Sequence, residues 1–247
     1  MRTLVTNDDG ISSPGLWRLA IAAQEAGLDV VVAAPATEAS GSSASISVTE
    51  SDGSIRVDRR TVEGLDGIPT YAVHAPPALI ALIAAHGAFG TAPELVLSGV
   101  NRGANVGRAI IHSGTVGAAL TGAVNGGRGL AVSLDTGMAP STLRWGVASR
   151  MARKLIPFLL DQPTGTVLNL NVPNLESHEL PEFRHATLAS FGIVQTTMTE
   201  RDQHHIRLAV ADPGAPAEPG SDADLLAAGF ATVTSISPVR EHPLPSL

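Results

Sequence analysis

The sequence predicts an α/β domain organised on a buried parallel sheet, and three observations carry that prediction. First, a β-prone run at residues 3–6 leads through Asn7-Asp8-Asp9-Gly10 into an amphipathic stretch opened by Pro14 and closed by Gly27, then into Val30-Val31-Val32-Ala33-Ala34. Strand, turn, helix and strand in that order make a βαβ opening. Second, the strand-like segments are unbroken apolar runs, as expected of strands covered on both faces. Third, the alternation of strand and helix continues to Pro173 before it stops.

The opening helix carries Leu16, Leu19, Ala20 and Ala23 at helical spacing, with proline at its start and glycine past its end. Residues 36–54, rich in Ser, Gly and Ala, read as a loop, and Ile55-Arg56-Val57-Asp58 as an edge strand. Thr70–Val73 is a strand, Pro76–Ala85 a helix and Leu95–Ser98 a further buried strand. Residues 99–114 hold Gly99, Gly103, Gly107 and Gly114 among Asn101 and Asn105, too many glycines for either a helix or a strand. Helix returns over Thr115–Val124, strand over Leu130–Leu134, a long helix over Leu143–Leu160, and a strand over Val167–Pro173. Beyond lie β-hairpin material at 182–210, a Pro/Gly loop from Asp212 to Gly220, a short helix Asp222–Ala228 and a last strand Ala231–Ile236. The expected organisation is a catalytic-type α/β domain over 1–178 and a C-terminal arm over 179–247 that packs back on it.

Composition narrows the chemistry. A chain of 247 residues with 44% hydrophobic content can bury a large core. It has no cysteine, which removes disulfides, thiolate metal sites and a cysteine nucleophile. Of its 16 basic residues the one lysine is Lys154, in Ser149-Arg150-Met151-Ala152-Arg153-Lys154-Leu155, a solvated helix face. A P-loop lysine, a Ser-Lys dyad and a Schiff-base lysine are therefore not expected. The net charge of -7 and the scarcity of aromatics argue against a nucleic-acid polymer as partner. With two early carboxylates and no apolar run near the roughly 20 residues of a membrane span, a cytoplasmic protein without membrane attachment is expected.

In an open α/β sheet, ligands bind beyond the carboxyl ends of the strands. Three polar clusters fall there: Asn7-Asp8-Asp9-Gly10, Ser40-Gly41-Ser42-Ser43 and Ser98-Gly99-Val100-Asn101. Adjacent carboxylates repel unless a cation or proton intervenes, and hard oxygen donors suit Mg2+, Mn2+ or Ca2+. The competing reading is that Asn-Asp-Asp-Gly is simply good turn and N-cap chemistry. Likewise His112-Ser113-Gly114-Thr115 at a helix start is either a phosphate-binding turn or a plain N-cap. No nucleophile elbow, dinucleotide glycine loop or zinc helix occurs. The pair His204-His205 reads as exposed hairpin polarity.

Taken together, these segments resemble the SurE survival-protein family of metal-dependent nucleotidases. The matching stretches are Val5–Ile11 with Pro14-Gly15, Ala34-Pro35 with Ser40-Gly41, Ser98–Gly107, Ser113–Ala119 and Asn169-Leu170-Asn171-Val172-Pro173, with Asp222–Ser237 similar to the family's closing helix and strand. The resemblance implies a Rossmann-like three-layer α/β/α core with a C-terminal β-hairpin arm exchanged in a homodimer or homotetramer. It implies one divalent ion per subunit, Mg2+ or Mn2+, on Asp8, Asp9, Ser40 and Asn101. Asn105, Ser113, Gly114 and Thr115 would face the phosphate, with Asp8, Asp9, Asn105 and Ser113 as the catalytic set. Two segments depart from the family pattern: His74-Ala75-Pro76-Pro77-Ala78, and Arg108-Ala109-Ile110-Ile111-His112 before Ser113.

The expected activity is metal-assisted hydrolysis of nucleoside monophosphates, with either water or Asp8 as nucleophile. Arg102 and Arg108 read as added positive charge or as solvated surface, and His112 as a general acid or a packing residue. Two alternatives accompany that reading: the same chemistry on a pathway-specific phosphorylated metabolite, or a non-catalytic protein that binds nucleotide or metal.

Overall fold

The computed structural model describes residues 1–47, 53–137, 142–176, 179–190, 195–201, 206–211 and 217–241. Strand β1 (Arg2–Thr6) leads to helix α1 (Pro14–Glu25) and strand β2 (Asp29–Pro35). Pro14 occupies the first turn of α1, and Gly27, at φ +79°, ends it. There Gly27 N–H donates to Gln24 O and Leu28 N–H to Ala23 O, the pairing of a Schellman close. Strands β3 (Val57–Arg60) and β4 (Thr70–Val73), helix α2 (Pro77–Ala85) and strand β5 (Leu95–Arg102) follow. Helix α3 (Gly114–Val124), strand β6 (Arg128–Asp135), helix α4 (Trp145–Leu160) and strand β7 (Val167–Pro173) complete the alternating part. The C-terminal region holds β8 (Phe183–His185), β9 (Gln195–Arg201), β10 (Ile206–Ala211), α5 (Asp222–Ala227) and β11 (Ala231–Ile236).

Among the described residues, nine strands form one sheet in the order β3-β4-β2-β1-β5-β6-β7-β11-β8. The six strands from β4 to β7 are parallel, and β3 and β11 pair antiparallel at either side of that block. Period-two alternation divides their side chains between two apolar layers. Val30, Val32 and Ala34 of β2 join Leu16 and Leu19 of α1 and Met151 and Ile156 of α4, while Val31 and Ala33 face Ile80 and Ala81 of α2 on the opposite side. Helix α3 lies on the α2 side through Val116, Ala118 and Ala119. The architecture is the expected Rossmann-like three-layer α/β/α. No helix among the described residues is long and apolar enough to cross a membrane.

Topology positions the site. From β1 the chain builds outward through β2 to β4, then crosses back to lay β5 on the other flank of β1. Connections leave the carboxyl ends of β1 and β5 in opposite directions and open a crevice between them.

Two expectations are corrected. The glycine-rich stretch after Ser98 is not wholly loop: β5 continues to Arg102, with its pairing to β6 shifting register between Ser98 and Asn101, and Gly107–His112 winds as 3-10 helix. At Gly99 (φ +139°) a Cβ would lie 2.2 Å from Val132 O. Glycine is present because the neighbouring strand's backbone takes the space of a side chain, so here it permits a strand instead of ending one. The hairpin material is also divided. Residues 183–185 join the main sheet beside β11, and only β9 and β10 form a separate antiparallel pair. His204, His205 and the expected domain boundary at residue 178 lie outside the described residues, as does the first part of the Pro/Gly loop.

Candidate active site

The turn after β1 is made by Asn7, not by the aspartates. Asn7 Nδ2 donates to Gly10 O at 3.1 Å, and Asn7 Oδ1 accepts from Gly10 N–H at 3.2 Å. This leaves both carboxylates for long-range partners. Asp8, 4% exposed, accepts the backbone N–H of Thr115 on Oδ2 at 3.1 Å and the Thr115 hydroxyl on Oδ1. Asp9 Oδ2 accepts the N–H of Arg102 at 3.2 Å. One aspartate is thereby tied to the start of α3 and the other to the end of β5.

Their electrostatics are those of a site short of positive charge. Burial pushes the Asp8 carboxyl above its ordinary range despite the bonds from Thr115. Asp9 is pushed up to about 6, by burial first and by the neighbouring Asp8 second, with Glu38 adding to it. A folded-state pKa above the ordinary 3.8 means that the folded chain binds the proton more tightly than the unfolded chain does. Without divalent cation, the protein is therefore expected to lose stability as pH rises from about 4 through about 6. The loss should be of the order of 1–2 kcal/mol once solvent screening of the partly exposed Asp9 is included. Thermal melts in chelator across that range check this; a midpoint that rises with pH over the interval contradicts it.

Asn101, at the end of β5, donates Nδ2 to Gly103 O at 2.7 Å, which leaves its carbonyl oxygen to act as a donor atom to a cation. Ser40 is exposed, its hydroxyl donating to Glu38 Oε1 at 2.7 Å. A second hydroxyl from the same loop lies beside Asp8. Ser42 Oγ is buried with no hydrogen-bond partner among the described residues. A Cβ built on Gly114 would meet Ser42 Oγ at 2.6 Å and Asp8 Oδ2 at 2.9 Å, so the two oxygens flank one glycine. Sequence reasoning passed over Ser42; its one signal was membership of the Ser-Gly-Ser-Ser cluster.

Among the described residues no group of three or more His, Asp or Glu stands in metal-binding arrangement, so a cation here would rely on two carboxylates and neutral oxygens. That donor set suits a hard divalent ion. The raised carboxyl groups and the orphaned Ser42 hydroxyl fit such a guest.

The expected phosphate residues take different positions. Asn105 is anchored on every side: its N–H donates to Asn171 Oδ1 at 2.8 Å, its carbonyl accepts from Asn169 Nδ2 and Asn171 Nδ2, each at 2.8 Å, and its own Nδ2 donates to Ser133 Oγ at 2.9 Å. Ser113 caps α3, its Oγ accepting from Val116 N–H at 3.1 Å. Thr115 is wholly buried and gives both its N–H and its hydroxyl to Asp8, so in this structure it orients that carboxylate. The positive end of the α3 dipole, expected to face a phosphate, faces the Asp8 carboxylate at Gly114 and Thr115. His112, Arg102 and Arg108 are exposed.

Comparison with known proteins places the chain in a family. The family model described as Survival protein SurE matches residues 3–195. A 5'-nucleotidase SurE from Xanthomonas euvesicatoria pv. vesicatoria is 33% identical over 241 residues, spanning 96% of this chain and 89% of the relative. A 5'/3'-nucleotidase SurE from Edwardsiella ictaluri is 32% identical over the same spans. Among solved structures, the SurE protein from Aquifex aeolicus superposes with a TM-score of 0.76 at 27% identity, covering 96% of this chain and 93% of that one.

Proposed function

Because the chain belongs to the SurE survival-protein family, and with it to the phosphoric monoester hydrolases, we propose that it is a divalent-metal-dependent nucleotidase releasing phosphate from nucleoside monophosphates. The observation that carries this reading is the pair of adjacent carboxylates, buried Asp8 and half-buried Asp9, at the switch point of the sheet, with the β5 end that bears Asn101 bonded to Asp9 through Arg102 N–H. Asp8, Asp9, Asn101 and a hydroxyl from the Ser40–Ser42 loop would hold one Mg2+ or Mn2+ ion. When bound, such an ion polarises a phosphoryl oxygen and offsets the charge that develops during transfer.

The chain's own groups supply orientation. Thr115 fixes the plane of the Asp8 carboxylate by bonding both of its oxygens, which favours water over Asp8 as the attacking group. Asn105 and Ser113 stand on the segments expected at the phosphate, and the clamp on the Asn105 backbone means little reordering is needed when substrate arrives. In the hydrolysis, the bond from water oxygen to phosphorus forms as the water gives up a proton to solvent, the ester P–O bond breaks, and the departing nucleoside oxygen takes a proton. The exposed imidazole of His112, adjacent to Ser113, is the side chain we assign to deliver it. The C-terminal region from residue 179 is proposed to carry the contacts of a homodimer or homotetramer.

A second reading keeps the chemistry and changes the substrate. Ile111 is 68% exposed on the segment leading to Ser113, with its carbonyl accepting from the Ser43 hydroxyl at 2.6 Å, so a large apolar group stands beside the site. A panel of nucleoside 5'- and 3'-monophosphates and sugar phosphates, assayed for released phosphate with Mn2+ and with chelator, decides between the two. The expected result is turnover of nucleotides that chelator abolishes. Preference for a non-nucleotide phosphomonoester would transfer the assignment to the second reading, and no release from any substrate would remove both.

A further inference from the structure

The segment that carries Asn105 is held by a carboxylate from the far end of the chain. Asp222, at the first turn of α5, is wholly buried. Its Oδ2 accepts the N–H of Gly107 at 2.8 Å, and its Oδ1 accepts the N–H groups of Ala189 and Ala223, each at 2.9 Å. Gly107 is the residue at which the Asn101–Val106 stretch passes into the 3-10 turn leading to His112 and Ser113. The adjacent Arg108 N–H donates to Ala189 O at 3.0 Å, so the same two backbone stretches are bonded on both sides of the carboxylate. Burial raises the Asp222 pKa while its backbone donors oppose the rise; a neutral acceptor in that place would be cheaper to bury unless the geometry required two acceptor oxygens.

We propose that Asp222 is a positioning residue for phosphoryl transfer, fixing Gly107 so that Asn105 on one side and His112-Ser113 on the other are held in register with Asp8 and Asp9. The proposal rests on the nucleotidase reading above. Nothing about Asp222 touches substrate; it acts through the loop. Its isostere shows why a carboxylate is needed. In Asp222→Asn one of the two oxygens becomes an NH2 group, and whichever way the amide turns, a donor then faces the N–H of Gly107 or of Ala189. The bonds of Asp8, Asp9 and Asn101 run to Thr115, Arg102 and Gly103, and none of them reaches Gly107 or Asp222.

The test compares wild type, Asp222→Asn and Asp222→Ala in the whole protein. Mn2+ affinity is measured by calorimetry, kcat and KM on a nucleoside 5'-monophosphate, and amide hydrogen exchange over residues 103–113. For Asp222→Asn, Mn2+ affinity should stay within about twofold of wild type while kcat falls by roughly tenfold or more, the scale at which displaced catalytic groups are felt. Exchange at Gly107 and Arg108 should accelerate in the same variant. Asp222→Ala should be worse on both counts, and if it fails to fold the asparagine variant still decides. Unchanged exchange over 103–113, unchanged kcat per folded molecule, or parallel losses of Mn2+ binding and kcat would each overturn the proposal. If wild type itself releases no phosphate, the nucleotidase reading falls, and with it the role assigned to Asp222 in transfer; wild-type turnover with an indifferent Asp222→Asn sinks the proposal alone.

Discussion

Asp8→Asn is expected to lower divalent-dependent phosphate release by roughly a thousandfold, about 4 kcal/mol of transition-state stabilisation, while leaving the fold intact and the metal-free protein more stable than wild type. The two signs are opposite because the same charge does two things. In the substrate-free protein, Asp8 is a buried carboxylate beside a second one, and both are pushed toward protonation. An amide removes that repulsion and remains bonded: its oxygen can accept the Thr115 N–H now given to Oδ2, and its NH2 can donate to the Thr115 hydroxyl, which both gives and accepts. Stability in chelator should rise by about 1 kcal/mol, within the range for relieving a strained buried charge. With cation and substrate present, the missing negative charge is what the site lacks. Phosphate-release assays beside chelator melts check both halves. Activity within about tenfold of wild type would remove Asp8 from the centre of the site.

The second large effect concerns folding. Gly99→Ala should destabilise the protein by about 4 kcal/mol or more, in the range kept for severe core disruptions. The added Cβ would lie 2.2 Å from Val132 O, with Val132 C and Cβ at 3.1 and 3.2 Å, and the backbone there has φ +139°. Neither strand can move aside, since β5 and β6 are both interior strands of the sheet. Gly27→Ala is the comparison: φ is also positive, at +79°, but nothing lies within 4 Å of the new methyl. Its cost should be about 1 kcal/mol, the penalty of the left-handed conformation alone. Urea unfolding of both variants should show the first far less stable than the second; equal midpoints would mean that the close approach to Val132 is accommodated. Because β5 ends at Asn101 and Arg102, damage at Gly99 should also reach the Asp9 contact.

How much was legible in the sequence depended on the range of the interaction. The apolar runs of β1, β2, β5, β6 and β7 and the Pro14-to-Gly27 frame of α1 are local patterns, and each element stands where they placed it. The meeting of the turn after β1 with the end of β5, where Asp9 accepts the Arg102 N–H, was likewise readable, because strand ends in a parallel sheet share one edge. The continuation of β5 through Gly99 was not, since the reason for glycine there is Val132, thirty-three positions away. The bonding of Thr115 to Asp8 was not legible for the same kind of reason. A threonine after Ser-Gly at a helix start is chemically suited to an external anion, and only the folded chain shows that Asp8 already meets its donors. The clamp of Asn169, Asn171 and Ser133 on Asn105 left one trace, the Asn-Leu-Asn motif, which marks two same-facing amides on a buried strand without saying what they hold.

That clamp, together with the Gly107–Asp222 bond, also sets an order of events during folding. The Asn105 loop has little secondary structure of its own to nucleate on; its anchors come from β6, from β7 and from a helix 115 positions further along. Contacts of such sequence separation require long loops to close before they return any energy. The β1–α1–β2 unit can assemble early, but the segment bearing Asn105 settles only after α5 has docked. On the ribosome, a nascent chain with β1 through β7 emerged would hold most of its core and an unformed centre, and would become a competent hydrolase only once α5 had emerged as well.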